Sequence, residues 1–209
     1  MAFVVKPTLD TRYCPLISLP DEDDAFTRRY LRGNKLGAAA ERYDPAEAPR
    51  RALLESGRKT VPHFVAIHAR LGLSPEARAL VEAFEPGVHQ FLPVEVVRKR
   101  GRKPIHRLDG HVLDEPYYLF IPQTVLDAVW VERSKVRVLH PTDLPSPWVD
   151  CFYVERYDNI VLRRELTAGR HAWRGRFNLP RRLLFSDALV RAAEERKMRG
   201  LECVHLEEA

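Results

Sequence analysis

The chain has 209 residues, of which 45% are apolar and 30% are charged. A chain of this length and composition can bury enough surface to fold as a domain without disulfides or metals, which excludes disorder over the whole chain. Its 34 lysines and arginines exceed its 29 acidic residues by five. This mild excess permits an acidic partner or nucleic acid and requires neither.

The sequence lacks the usual signs of insertion into a membrane or of export. No stretch reaches the roughly 18 apolar residues that a spanning helix needs, and the first residues do not resemble a signal peptide. Cys14, Cys151 and Cys203 are far apart and match no zinc spacing. We therefore predict a cytoplasmic protein with reduced thiols.

The first sixty residues are predicted to form an N-terminal arm that packs on the main body. Residues 3–5 suit a short strand. The acidic residues 21–24 precede a short helix over 25–31, in the order that the helix dipole favours. A second, weaker helix is predicted over 38–43, and prolines and glycines indicate loops elsewhere.

The pattern is clearer from residue 61 onward. Residues 63–71 are apolar and extended in character, and a helix is then predicted from Ser74, with a hydroxyl cap and Pro75 at the first helical position. The apolar residues of this helix recur at helical spacing and are predicted to be buried. They are Ala77, Leu80, Val81 and Phe84.

Several strands are predicted after this helix. Residues 88–97 read as one strand, in which Pro93 indicates an edge strand or a bulge. Residues 125–130 continue the apolar pattern. The other strands are predicted over 117–121, 136–139, 151–154 and 159–162.

A second capped helix is predicted near the end of the chain. Ser186 is its cap, Asp187 begins it, and Leu189 and Ala193 face inward. Gly200 is predicted to end it.

The order of the elements predicts the fold class. A final strand over 201–206 completes the sequence of strand, helix, several strands, helix and strand, which indicates an α+β fold rather than a regular βαβ alternation. We expect a mixed or antiparallel sheet, a few packed helices and many loops. The arm covers residues 1–60, and the α+β domain covers 61–209.

The sequence contains no recognised catalytic motif for phosphate, dinucleotide or zinc chemistry, or for a serine nucleophile. His171 and Ser186 with Asp187 leave a hydrolase open as an alternative, although Ser186 and Asp187 also suit the cap and the first turn of a helix.

Acidic and histidine residues cluster in one loop, which suits either a divalent cation or a solvated polar loop. We predict no metal and no cofactor. The cluster comprises Asp109, Asp114, Glu115, His106 and His111.

Two basic segments are candidate binding surfaces. Residues 98–103 contain five cations in six positions and would suit phosphate contacts, so a nucleic-acid-binding module remains an alternative. The arginines between 163 and 182 surround Trp173, a combination that also suits a protein interface.

A series of short motifs resembles the immunity protein family eleven of bacterial polymorphic toxin systems. The resemblance covers residues 62–206 and includes the helix that begins at Ser74. The departures from the family pattern are the basic insertion over 98–109 and the charged stretch over 174–182. The motifs are EPGVHQFLPVE at 85–95, YYL at 117–119, GRHAW at 169–173, LFSDAL at 184–189 and RGL at 199–201.

The resemblance implies a protein that is not an enzyme and that protects a bacterium by binding a toxin encoded beside it. The acidic residues 21–24 compete with the basic segments as the surface that would contact the toxin. On the basic segments the expected contacts are Arg98, Arg100, Arg102, Arg170, Arg174 and Arg176. The motif residues are expected to be structural, and they are His89, Gln90, Phe91, Pro93, His171, Trp173, Ser186 and Asp187.

Overall fold

A computed structural model describes most of the chain, and its strands far outnumber its helices. The residues described are 1–8, 15, 17–20, 26, 40–55, 60–68, 70–101, 103–108, 110–139, 148–150, 157–177, 179 and 182–209. The strands are β1 (Ala2–Pro7), β2 (Ile17–Ser18), β3 (Arg51–Leu54), β4 (Thr60–Val61), β5 (Phe64–Ile67), β6 (Arg70–Leu73), β7 (Gln90–Arg98), β8 (His106–Arg107), β9 (Tyr117–Ile121), β10 (Val125–Leu126), β11 (Arg137–Leu139), β12 (Trp148–Asp150), β13 (Val161–Leu162), β14 (Ala172–Gly175), β15 (Leu183–Ser186) and β16 (Leu201–Glu208). The α-helices are α1 (Pro75–Phe84), α2 (Arg164–Thr167) and α3 (Asp187–Glu195).

Six strands form a closed barrel in the order β2-β3-β7-β9-β6-β5. The barrel closes through a parallel contact of Ile17 with Ile67. β3 and β7 also run parallel, whereas the remaining barrel pairs are antiparallel. The barrel interior is filled by alternate side chains of its strands, including Leu54, Leu92 and Leu119, which are almost completely buried.

A second sheet has six strands in the order β10-β14-β15-β1-β16-β13. β1 lies inside this sheet and pairs antiparallel with both β15 and β16. The described part of residues 1–60 therefore supplies one inner strand of this sheet, together with β2 and β3 of the barrel. The combination of mixed sheets and a few helices confirms the predicted α+β class.

The two faces of the second sheet bury different core clusters. One face packs against α1, α3 and the outside of the barrel, and the other face packs against the segments around β10 and β13. Neighbouring residues of a strand point to opposite faces. Ala172 and Phe185 accordingly join the first cluster, and Trp173 and Leu184 join the second.

Both long helices begin where the sequence predicts. The Ser74 hydroxyl accepts a hydrogen bond from the backbone N–H of Ala77, and the Ser186 hydroxyl accepts one from Leu189. The inward residues Leu80, Val81, Leu189 and Ala193 are buried, whereas Phe84 is half-buried and packs at the rim of the core.

Several local predictions differ from the structure. Residues 63–71 do not form one extended segment, because the chain reverses at His68, which has φ 55°, and forms the antiparallel pair β5 and β6. Residues 40–43 are not helical. The predicted elements at 25–31 and 151–154 lie outside the described residues, except for Phe26, which is buried in the barrel core.

Pro93 lies in a strand that is paired on both sides, although not at the same positions. It faces Tyr118 of β9, while the parallel pairing with β3 begins only at Glu95. The N–H of Glu95 donates to the carbonyl of Arg50. The nitrogen of residue 93 points to the same side of the strand as that of Glu95. It lies where β3 has not yet begun, so no ladder bond is lost.

Gly200 does not end the last helix. α3 ends at Glu195, and Lys197 with φ 54° is the first left-handed residue after it. Gly200 has φ +106°, and a Cβ built there would lie 1.9 Å from the carbonyl oxygen of Phe64. Glycine is therefore required because the start of β16 passes directly over the backbone of β5.

Candidate functional site

Residues of two sequence motifs meet where the barrel packs against the second sheet. The Nε2 atom of His89 lies 2.7 Å from Oε2 of Glu85, and the two side chains are 0% and 5% exposed. The backbone N–H of Gln123 donates to Nδ1 of His89 over 3.2 Å. Because Nδ1 accepts this bond, the ring proton lies on Nε2 and is donated to Glu85. This geometry fixes the orientation of the His89 ring.

Glu85 also connects this pair to the second sheet. Its Oε2 atom accepts a hydrogen bond of 2.8 Å from the backbone N–H of Ala172 in β14. Burial raises the pKa of the Glu85 carboxyl, but hydrogen bonds from His89 and from the backbones of His171 and Ala172 outweigh it and hold the pKa below its ordinary value. One buried carboxylate therefore joins the end of α1, the residue before β7, and β14.

The aromatic motif residues surround this carboxylate. Phe120 meets the edge of His89 with ring centres 5.2 Å apart and stacks on Phe91 at 5.6 Å. Phe84 meets His171 at 4.8 Å. Trp173 lies on the other face of β14, where it is only 1% exposed.

Gln90 attaches the chain before β3 to the start of β7. Its Oε1 atom accepts a hydrogen bond of 2.9 Å from the backbone N–H of Tyr43, and its Nε2 atom donates to the carbonyl of the same residue over 2.5 Å. This pair of bonds satisfies both backbone polar groups of Tyr43, which is buried.

His171 and Ser186 are in contact, as a hydrolase would require. His171 Nδ1 lies 2.9 Å from the Ser186 hydroxyl, which also caps α3. Among the described residues no carboxylate forms a hydrogen bond with the imidazole ring of His171, so the third group of a catalytic triad is missing from that part of the chain. The carboxylate of Asp187 instead pairs with Arg191 one turn later, at 3.0 Å.

The acidic and histidine residues of the loop over 106–115 were considered either as cation ligands or as a solvated polar loop. Within the described residues no group of three or more His, Cys, Asp or Glu side chains is arranged to hold a metal ion. Asp109 lies outside those residues, and His106 uses Nδ1 to contact the carbonyl of Gly110 at 3.1 Å.

The first basic segment forms a turn over residues 98–104, here called the basic turn. Arg98 donates to the carbonyl oxygens of Lys103 and Pro104 at 2.7 and 3.1 Å, so its guanidinium closes the turn. Lys99 pairs with Glu55 at 2.8 Å. Hydrogen bonds from Lys99 and Ser18 hold the pKa of Glu55 below its ordinary value. The side chains of Arg98 and Lys99 therefore already have partners within the protein.

Two further cations of the basic turn point to solvent. Arg100 and Lys103 are exposed and form no ion pair with any carboxylate in the described part of the chain. Arg102 lies outside the described residues, as do the acidic residues 21–24.

The second basic segment is less available for binding. Arg174 is only 8% exposed because it lies in the inner strand β14. Arg176 is exposed and lies over the ring of Phe177 at 5.2 Å, and Arg170 is exposed beyond α2. Of the five described candidates, Arg98 and Arg100 therefore lie at the end of the barrel strand β7, and Arg170, Arg174 and Arg176 lie in or beside β14 of the second sheet.

A surface hairpin over residues 105–113, here called the 105–113 hairpin, was not predicted from the sequence. Its turn is closed by the N–H of Gly110 donating to the carbonyl of Arg107 at 3.0 Å. Leu108 and Val112 project from it and are 38% and 51% exposed. The Asp-Gly dipeptide at 109–110 is a hairpin signal, and it was the feature that would have revealed this element.

The hairpin is held to the body at three points. Its base is anchored by Ile105, which is buried in the barrel core, and β8 pairs in parallel with β4. Arg107 forms a close ion pair with Glu76 in the first turn of α1. Burial raises the pKa of the Glu76 carboxyl. The pKa is nevertheless lowered overall, because Glu76 accepts hydrogen bonds from its own backbone, from Ser74 and from Arg107, and because Arg107 is positively charged.

Comparison with known families and proteins gives one match. The model of the immunity protein family Imm11 matches residues 47–208. This range contains the predicted 62–206 and extends it to include β3. A search of curated proteins finds no match. No helix in the described part of the chain is long and apolar enough to cross a membrane.

Proposed function

Because the chain belongs to the Imm11 immunity protein family, we propose that it binds and neutralises a toxin protein encoded beside it and so protects the cell that makes both. The family match over residues 47–208 is the observation that carries this proposal. The mechanism is steric: the bound protein covers the active site of the toxin and requires no reaction centre of its own. The proposal places the protein in the cytoplasm.

The structure supports this proposal through its rigidity. A neutralising protein must hold its surface in place before the toxin arrives, because ordering a surface on binding costs affinity. The buried Glu85–His89 pair and the shared core of barrel, helices and second sheet fix the relative position of the two sheets. The surface loops are thereby presented on a rigid body.

Protection of living cells tests the proposal. The toxin domain encoded by the neighbouring gene is expressed from an inducible promoter, with or without this chain, and growth is followed. The chain should restore growth and should form a stable complex with the purified domain. An immunity protein of another family serves as the control and should leave the cells sensitive. Failure of the wild-type chain both to protect and to bind would exclude the function.

A further inference from the structure

We infer that the 105–113 hairpin is the part of the protein that engages the toxin, with Leu108 and Val112 entering an apolar depression whose margin is acidic. This inference rests on the proposed function and specifies the surface and the kind of partner surface it fits. The basic turn, which leads directly into the hairpin, supplies the complementary charge.

The apolar side chains of the hairpin are unusual for this protein. Four large apolar side chains of the described residues are exposed, namely Met1, Leu108, Val112 and Leu166. Two of the four lie within five positions of each other on the hairpin. Apolar side chains gathered on one surface element are typical of interaction sites, whereas single ones are common everywhere.

The described residues of the hairpin are joined by hydrogen bonds across it. Arg107 and His111 are joined by a backbone hydrogen bond of 2.8 Å, and Leu113 and Ile105 are joined by another of the same length. The side chain of His106 contacts the carbonyl of Gly110 across the turn. Little conformational entropy remains to be lost on binding, so the apolar contact contributes more of its free energy to affinity.

The charge beside the hairpin selects the partner surface. Arg100 and Lys103 are exposed, and the charge of Arg100 also contributes to the lowered pKa of Glu55. They would attract an acidic surface and speed association with it. Asp114 and Glu115 are exposed directly after the hairpin, so the local positive charge is modest. The apolar contact therefore determines affinity, and the cations mainly affect the association rate.

The second basic segment fits this role less well. Arg174 is buried, and Arg176 lies against Phe177. Among the described residues of 170–182, no large apolar side chain is exposed in the way that Leu108 and Val112 are. Leu166 in α2 is exposed to a similar extent as Leu108, at 41% against 38%, and it provides a matched control on the other sheet.

Binding of the purified toxin domain to the full-length chain tests the inference. The double variant Leu108→Ser with Val112→Thr removes the apolar contact. Serine suits a turn and threonine suits a strand, so the hairpin should still form. The Kd should rise by at least about thirtyfold. Leu166→Ser should change Kd by less than about twofold. Arg100→Glu with Lys103→Glu should slow association roughly tenfold at about 50 mM salt, with a smaller effect near 300 mM.

A second measurement does not depend on removing side chains. A photo-reactive side chain introduced at residue 108 should cross-link to the toxin domain, and one introduced at residue 166 should not. Suppose that the wild-type chain binds the toxin. If the hairpin double variant then retains the wild-type Kd, or if residue 108 fails to cross-link, the inference is wrong and the proposed function stands. If the wild-type chain neither binds nor protects, the proposed function itself is wrong.

Discussion

Replacing Glu85 should destabilise the protein far more than its position at a helix end suggests. Glu85→Ala leaves two buried donors without their acceptor, the Nε2–H of His89 and the backbone N–H of Ala172, and it also removes the acceptor of the half-buried backbone N–H of His171. An unsatisfied buried donor costs about 1–3 kcal/mol, so the unfolding free energy should fall by about 2–6 kcal/mol. Glu85→Gln retains one acceptor oxygen and should cost less. Glu195→Ala, on the exposed side of α3, is the matched control and should change stability by less than about 0.5 kcal/mol.

Urea denaturation followed by tryptophan fluorescence measures these differences, because Trp173 is buried and reports loss of the core. The difference between wild type and Glu85→Gln should also depend on pH. The folded-state pKa of Glu85 is lowered, so the carboxylate contributes its full stabilisation above the ordinary pKa of glutamate. This contribution is lost as the pH falls through the lowered folded-state pKa. A loss below about 1 kcal/mol in Glu85→Ala would refute the structural role assigned to this carboxylate.

Three further predictions concern separate features of the chain. Gly200→Ala should reduce the unfolding free energy by more than about 2 kcal/mol in denaturant titrations, because it combines positive φ with a backbone clash. Gly101→Ala, with positive φ and open space around it, should cost less, and equal losses would contradict the close-approach argument. Ser186→Ala should lower stability by about 0.5–2 kcal/mol through the lost cap. A hydrolytic activity abolished in a well-folded Ser186→Ala variant would instead support an enzyme. Binding to DNA or RNA, measured by fluorescence anisotropy, should be weak and should decrease steeply between about 50 and 200 mM salt. A selective, submicromolar complex at physiological salt would count against this.

Local signals in the sequence were enough to predict the helices. The cap and first turn at Ser74 and at Ser186 depend on neighbouring residues alone, and so does the spacing of Leu80 and Val81. Barrel closure depends instead on Ile17 meeting Ile67, and no local pattern specifies which distant strands pair.

The buried carboxylate was missed for a related reason. Glu85 lies four residues before His89, but Pro86 and Gly87 intervene, so the spacing does not indicate a shared helix face. Only the packing of β14 against α1 brings Ala172 to the same oxygen. The exposed leucine and valine of the hairpin were not predicted, because an Asp-Gly turn signal does not indicate which neighbouring side chains remain outside the core.

The position of β1 has a consequence for the synthesis of the protein. Ala2 pairs with both Ser186 and Leu206, so an early strand of the chain obtains its neighbours only when the last strands emerge from the ribosome. The barrel strands all lie between residues 17 and 121, and they can pair while translation continues. For most of the synthesis, the backbone N–H and C=O groups of β1 are therefore unpaired on both sides of the strand. Unpaired strand edges promote aggregation. On the proposed function, the protein is therefore expected to become active only after β16 has been synthesised and this sheet has closed.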